Sequence, residues 1–237
     1  MLKPETLRQL GEASTATLTT QLFKRGFRNL FMQGVRPLSP PGRNLVGPAF
    51  TLRYIPARED LDMIEAYADP EHPQRKAIEV IPEGHVMVID CRGDSRAAAA
   101  GHILTTRLAV RRAAGLVSDG GIRDSTAIAA MDFPVYCAGP SAPLGLIAHH
   151  ALEFGVGIGC GGVAVLPGDV IVGDGDGVVV IPAAIAEEVA VDAAAQEEME
   201  EFIQSRIAGG AKLPGTYPPN EETRAAYAAW RKERAKG

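Results

Sequence analysis

Between residues 86 and 137 the chain alternates short apolar runs with helix-patterned segments, and this order restricts the fold more than any other feature. VMVID at 86–90 reads as a fully buried strand. A helical segment opens at Gly101, carries apolar residues at Ile103, Leu104, Leu108 and Val110, and is expected to stop at Gly115. Leu116 to Ser118 make a short strand, DGGIRD at 119–124 a loop, Ser125 to Met131 a helix, and Pro134 to Cys137 another strand. Strand, helix, strand, helix, strand in succession implies an α/β core.

Around this core the signals are more local. Residues 4–12 read as a helix, Ser14 to Thr17 as a break, and Thr19 to Lys24 as a second helix stopped by Gly26. Residues 35–46 are expected to be loop, and Pro48 to Ile55 a strand. Residues 60–81 are helical in part, interrupted at Pro70 and Pro73, and PEGH at 82–85 is a turn. Past residue 155, β runs at 156–159, 163–166, 169–173 and 177–181 are separated by Gly, Pro and Asp, the pattern of tight antiparallel hairpins. A long helix over 183–207 ends at Gly209 and Gly210. The tail 211–237 holds a Pro-rich turn and a last helix near 221–234, started by Asn220.

Composition removes several function classes. The 237 residues carry 24 Lys and Arg against 29 Asp and Glu, a formal charge of −5, with no long basic block. Nucleic acid is therefore not an expected partner, since phosphate binding needs clustered cations. No apolar run reaches the roughly 18 residues of a membrane span, and MLKPETLRQLGEAS lacks the apolar core of a secretory signal. Cys91, Cys137 and Cys160 form no CxxC and are read as reduced thiols of a cytoplasmic protein.

Some motifs are decoys. Gly157, Gly159 and Gly162 match GxGxxG but lead into a β run instead of a helix. GDGDG at 173–177 lacks the later ligands of a calcium loop and reads as a hairpin turn. His149 and His150 are adjacent and, on a helix, diverge by about 100°, which does not suit a shared metal.

The segment 101–128 is different. It combines a Gly-initiated helix N-terminus, a strand and the pair Arg123–Asp124. Free N–H groups at a helix start hold a carboxylate, a guanidinium binds the oxygens of a 2-oxo acid, and a single carboxylate with several waters suits Mg²⁺. Together these would stabilise an enolate. The competing reading makes Asp124 an N-cap of the helix that follows it, Arg123 a surface ion-pair partner and His102 a first-turn residue without a role.

At this segment the chain resembles the RraA-like family, which includes 4-hydroxy-4-methyl-2-oxoglutarate aldolase and the regulator of ribonuclease activity A. The family signature is an acidic residue, twenty residues of any type, then Arg–Asp. The spacing is kept from position 102 to Arg123–Asp124. STATLT (14–19), GPAFTLR (47–53) and VLPGD followed by GDGDGVVVIP (165–182) match as well, so the resemblance runs from about residue 14 to 210.

The resemblance implies a mixed β/α core like the swivelling phosphohistidine domain, with a C-terminal helical extension. It divides the chain into a catalytic domain, 1–210, and an extension, 211–237, that serves as an interface or cleft cover. It also implies homotrimers or homohexamers with sites between subunits. In the aldolases the residue at Asp124 binds Mg²⁺ or Mn²⁺, that at Arg123 contacts the pyruvyl oxygen, and N–H groups at Ile103 and Leu104, next to Gly101, hold the substrate carboxylate. A Glu from the neighbouring subunit's C-terminal helix reaches the metal through water. Glu198, Glu200 and Glu201 are candidates, with Glu201 preferred. One departure stands out: His102 occupies the acidic position. Histidine does acid–base work near neutral pH but brings less negative charge to a cation.

The function expected from this is that of a metal-dependent, class II pyruvate aldolase or 2-oxo acid decarboxylase. Such a lyase cleaves a C–C bond of a small 2-oxo acid through a pyruvate enolate, with Arg123 polarising the oxo group and His102, or water held by it, moving a proton. The alternatives are a non-catalytic regulator that binds ribonuclease and a sugar-acid dehydratase.

Overall fold

The computed structural model describes residues 2–38, 42 and 44–234. Residues 39–41 and 43 of the expected loop and 235–237 of the tail lie outside the described residues. The chain enters through helices Pro4–Glu12 (α1) and Thr15–Lys24 (α2), then a short strand Arg36–Pro37 (β1) and the twelve-residue strand Leu45–Pro56 (β2). A 3-10 turn at Ile64–Ala68 precedes helix Pro73–Val80 (α3). The predicted alternation comes next: Val86–Asp90 (β3), Ala98–Ala100 (β4), His102–Val110 (α4), Gly115–Ser118 (β5), Gly121–Ile122 (β6), Ser125–Ala129 (α5), Val135–Cys137 (β7) and Gly139–Pro140 (β8). Then come His149–Phe154 (β9), Ile158–Cys160 (β10), Val163–Val165 (β11), Val170–Gly173 (β12) and Val178–Ile181 (β13). Helices Ala186–Ala208 (α6), Leu213–Thr216 (α7) and Glu221–Arg234 (α8) complete the chain.

The main sheet is ordered β1-β7-β5-β3-β2-β12-β13, with β9 also paired to β2. Strands β7, β5, β3 and β2 are mutually parallel, and β12 joins β2 antiparallel. β2 is the seam: its first residues pair with β12, its middle with β3 and its end with β9. A fully apolar strand suits the middle of a sheet covered on both faces, and β3 is buried at all five positions.

Three apolar clusters organise the layers. One lies under α3, α4 and α5 and includes Leu52, Ile78, Ile89, Leu108, Leu116 and Ile128. A second lies on the opposite face of β3 and includes Val88, Val117, Tyr136, Val165, Ile171 and Val180. The third packs α1, α2 and the start of α6 onto β12 and β13 through Leu10, Leu18, Val172, Val179 and Val189. The sequence reading of a mixed α/β core with C-terminal helices describes this architecture.

Several boundaries differ from expectation. The second helix begins at Thr15, because the Ser14 hydroxyl accepts the Thr17 N–H and caps it, so the predicted break shrinks to Ala13–Ser14. Helix α4 ends at Val110, with Arg112 in the left-handed region (φ 58°). Gly115 instead opens β5, where a Cβ would lie 2.6 Å from Leu45 Cδ1 and 2.7 Å from the Pro134 carbonyl. The Gly-rich segment 157–162 runs through the hairpin β10–β11, and GDGDG at 173–177 turns the hairpin β12–β13, as read from sequence. His149 and His150 lie on strand β9 and not on a helix, so they face opposite ways: His149 is 3% exposed, and His150 pairs with Asp62 at 2.9 Å. Among the described residues, no helix is long and apolar enough to cross a membrane.

Candidate active site

The site grows out of two short strands. β4 and β6 run parallel, side by side, in a three-stranded sheet completed by β8. The segments that leave their carboxyl ends therefore emerge at the same edge. β4 leads through Gly101 into α4, and β6 leads into Arg123 and Asp124, with the Arg123 N–H bonded to the Ala100 carbonyl at 3.1 Å. Crevices at the carboxyl ends of parallel strands are the usual ligand positions of α/β sheets.

Asp124 does not cap the helix that follows it. Its backbone is left-handed (φ 57°, ψ 32°) and its side chain makes no bond to its own helix. The Oδ2 atom instead accepts the His102 N–H at 3.1 Å, so Asp124 caps α4 from across the strand pair. The same oxygen lies 3.4 Å from Arg123 Nε. Gly101 is required by this crowding: an added Cβ would stand 2.8 Å from both Arg123 Cγ and Asp124 Oδ2. Gly101 itself offers α4 no side-chain cap. With the His102 N–H spent on Asp124, the N–H groups of Ile103 and Leu104 remain the unspent donors of the first turn.

A cavity of about 360 Å³ opens here, lined by Gly101, Ile103, Leu104, Arg123 and Asp124 on one side. Tyr67, Gln74, Arg75, Leu144 and Gly145 are on the other. Arg123 and Asp124 also line a second depression toward Ser125, Pro140 and Ser141, so the pair forms a partition between two openings. The Asp124 and Arg123 side chains are 45% and 38% exposed, reachable by solvent and by a small ligand. His102 gives its backbone to this arrangement; its half-buried side chain is not among the cavity-lining residues of the single chain.

The far wall was not legible in sequence. Gln74, 5% exposed, donates from Nε2 to the Tyr54 hydroxyl at 2.8 Å and to the Ala99 carbonyl at 2.7 Å, which fastens the start of α3 to β4. Tyr67 carries the Arg75 guanidinium over its ring at 4.4 Å. Burial pushes the Tyr67 phenol up, while Arg75 and Arg123 pull it down. Pro73 marks the start of α3 in sequence, but nothing local says which cavity the helix faces.

The acidic candidates on α6 lie elsewhere in the chain. Glu201 pairs with Arg234 at 2.6 Å, Glu198 accepts the Tyr227 hydroxyl at 2.8 Å, and Glu200 accepts Gln196 Nε2 at 2.9 Å. None of the three lines the Arg123 cavity. All three cysteines are buried, and burial raises each thiol above its ordinary value. Among the described residues, no group of three or more His, Cys, Asp or Glu is placed to hold a metal ion. A cation at Asp124 would thus take one carboxylate from this chain and fill its sphere with water and ligand oxygens. Mg²⁺ and Mn²⁺ accept such a donor set, whereas a structural zinc site needs four protein ligands.

Comparison with known proteins gives a consistent result. The family model RraA-like, described as Aldolase/RraA, matches residues 15–180. Over 158 residues, 65% of this chain and 67% of the relative, the sequence is 35% identical to a Halalkalibacterium halodurans protein named "Putative 4-hydroxy-4-methyl-2-oxoglutarate aldolase". It is 30% identical over 210 residues to Protein DlpA of Legionella pneumophila; the match takes in 89% of this chain but only 33% of that longer protein. Among solved structures, Streptomyces coelicolor RraAS2, described as an unusual member of the RNase ES inhibitor RraA protein family, superposes with a TM-score of 0.79. That match has 30% identity and covers 87% of this chain and all of the other.

Proposed function

The chain belongs to the RraA-like family, and from that premise we propose that it is a divalent-metal-dependent lyase that cleaves a C–C bond of a small 2-oxo acid. The observation that carries the reading is the cluster at the ends of β4 and β6: a half-exposed carboxylate, a guanidinium 3.4 Å from it, and a helix N-terminus with two unspent N–H groups, all on one cavity. Relatives named as aldolases support it.

In this mechanism the Ile103 and Leu104 N–H groups hold the substrate carboxylate, favoured by the dipole of α4. Arg123 donates to the 2-oxo oxygen and offsets the negative charge that grows there as the C–C bond breaks. Asp124 would hold the cation, Mg²⁺ or Mn²⁺, which supplies Lewis-acid polarisation of the same oxo group. Asp124 also fixes α4, so the donors and the metal ligand keep their relative positions. His102, whose side chain does not line the cavity of the single chain, would act through water held by it to move the proton at the far hydroxyl in a retro-aldol cleavage. Oxaloacetate decarboxylation needs the same enolate stabilisation without that base. Glu201 is proposed to approach a neighbouring subunit's cation through water, in a cytoplasmic homotrimer or homohexamer. The catalytic unit is taken as residues 1–210, with 211–237 as interface or cleft cover.

The test is turnover of oxaloacetate and of a branched 4-hydroxy-2-oxo diacid with and without added Mg²⁺ or Mn²⁺. Activity is expected only with the cation, and Arg123→Ala should lower kcat by about 10²- to 10³-fold, the scale of losing one donor to a developing oxyanion. No turnover with either cation refutes the lyase. It would leave the second reading, a protein-binding regulator, which the likeness to a member of an RNase-inhibitor family favours.

A further inference from the structure

The cavity contains two guanidinium groups and one carboxylate. Arg123 faces Asp124, but Arg75 has no ion-pair or hydrogen-bond partner among the described residues. It is half-buried, and its guanidinium rests on the Tyr67 ring at 4.4 Å. Tyr67 is in turn braced edge-on by His72, with ring centroids 5.4 Å apart. Stacking uses the flat face of a guanidinium and leaves its in-plane N–H donors unspent. Both Arg75 and Arg123 act on the Tyr67 phenol, which puts the two positive charges around one side chain. Among the groups that line the cavity the two guanidinium groups face one carboxylate; Asp62, which also acts on the Tyr67 phenol, spends its oxygens on His150 Nδ1 and the Arg58 N–H, so Arg75 stands on its aromatic platform without a partner of its own.

A 2-oxo acid seated as above uses the Ile103 and Leu104 N–H groups, Arg123 and Asp124, and leaves Arg75 free. We infer that Arg75 is the specificity-determining residue of this site: it binds a second carboxylate at the far end of the substrate and selects 2-oxo diacids over 2-oxo monoacids. The inference rests on the 2-oxo acid reading of the same site. The rival is an alkyl tail lying against Ile64 and Leu144, which also line the cavity.

The deciding experiment is calorimetric titration, in the presence of Mg²⁺, with 2-oxoglutarate and with 2-oxopentanoate, which has a methyl where the diacid has its second carboxylate. The wild-type protein should bind 2-oxoglutarate at least tenfold more tightly. Arg75→Gln should weaken 2-oxoglutarate by about 10- to 100-fold, the range of lost charge-assisted hydrogen bonds, and change 2-oxopentanoate less than about twofold. Arg75→Lys, which keeps the charge without the fork, should fall between. With oxaloacetate as substrate, Arg75→Gln should raise KM far more than it lowers kcat. Equal wild-type affinity for the two ligands overturns the assignment, as does a variant that weakens both alike or a preference for 2-oxopentanoate, while leaving the 2-oxo acid reading intact. A wild-type protein that binds neither ligand and turns over no 2-oxo acid removes both.

Discussion

At position 124 the backbone lies in the left-handed region, where Asp, Asn and Gly are at home and most side chains are strained. The same residue caps α4 and stands beside Arg123. These roles separate by substitution. Asp124→Asn keeps an acceptor oxygen for the His102 N–H and tolerates the backbone, so melting should shift by no more than about 2 °C while Mg²⁺-dependent turnover is lost. Asp124→Ala removes the cap and adds strain, together about 1–3 kcal/mol, and should lower the melting temperature by about 2–10 °C for a chain this long. Scanning calorimetry of the two variants beside an oxaloacetate assay checks both. Equal melting losses would mean that the cap contributes nothing and that Asp124 serves the ligand alone.

Among the elements, legibility tracked the strength of the local signal. The apolar runs of β3, β5, β7, β12 and β13 announced themselves, and so did Asn220, whose Oδ1 accepts the Thr223 N–H at 2.9 Å at the start of α8. Arg123 and Asp124 were readable because they follow a strand in a recognisable spacing. β4 was not, since three alanines carry no alternation and become a strand only by pairing with β6. Arg75 and Tyr67 were hidden for a similar reason: α3 reaches the cavity through the Gln74 bridge to Ala99, a contact between residues 25 positions apart. The last helix shows how far an appended element depends on a few side chains. Phe202 of α6 packs on Tyr227 and Trp230 of α8 with centroids 5.6 and 5.5 Å away, and Arg234 covers the Trp230 ring at 5.0 Å. Trp230→Ala should release α8 at a cost of about 1–3 kcal/mol. Hydrogen exchange should then show lost protection over 221–234 and unchanged protection in β3 and β5.

For the whole molecule, acid is the expected weakness. His149 is 3% exposed, stacked on Tyr54 with centroids 5.5 Å apart, and its Nε2 lies 3.3 Å from the Ala97 carbonyl. Burial lowers its proton affinity from the ordinary value near 6.5, and His72 is lowered for the same leading reason. Unfolded, both imidazoles take up protons as the pH falls through 6.5; folded, they resist until lower pH. In that window the unfolded chain binds more protons, so stability is full above it and declines on acidification, by at most about 1.4 kcal/mol per pH unit for each histidine. Melting temperatures measured from pH 7.5 to 5.5 should fall, and less steeply in His149→Phe, which keeps the stacking and loses the titration. An unchanged slope in that variant would assign the acid response to other groups.

The position of β2 also bears on how the cavity is walled. One strand joins the parallel half through β3 and the antiparallel half through β12, so both halves are hydrogen-bonded to the same twelve residues. The stretch between β2 and α3 borders the cavity: Leu61, Met63 and Ile64 stand half in water there, and Ile64 and Tyr67 reach the cavity wall. The cavity thus has one wall made of connecting chain and the other built on paired strands.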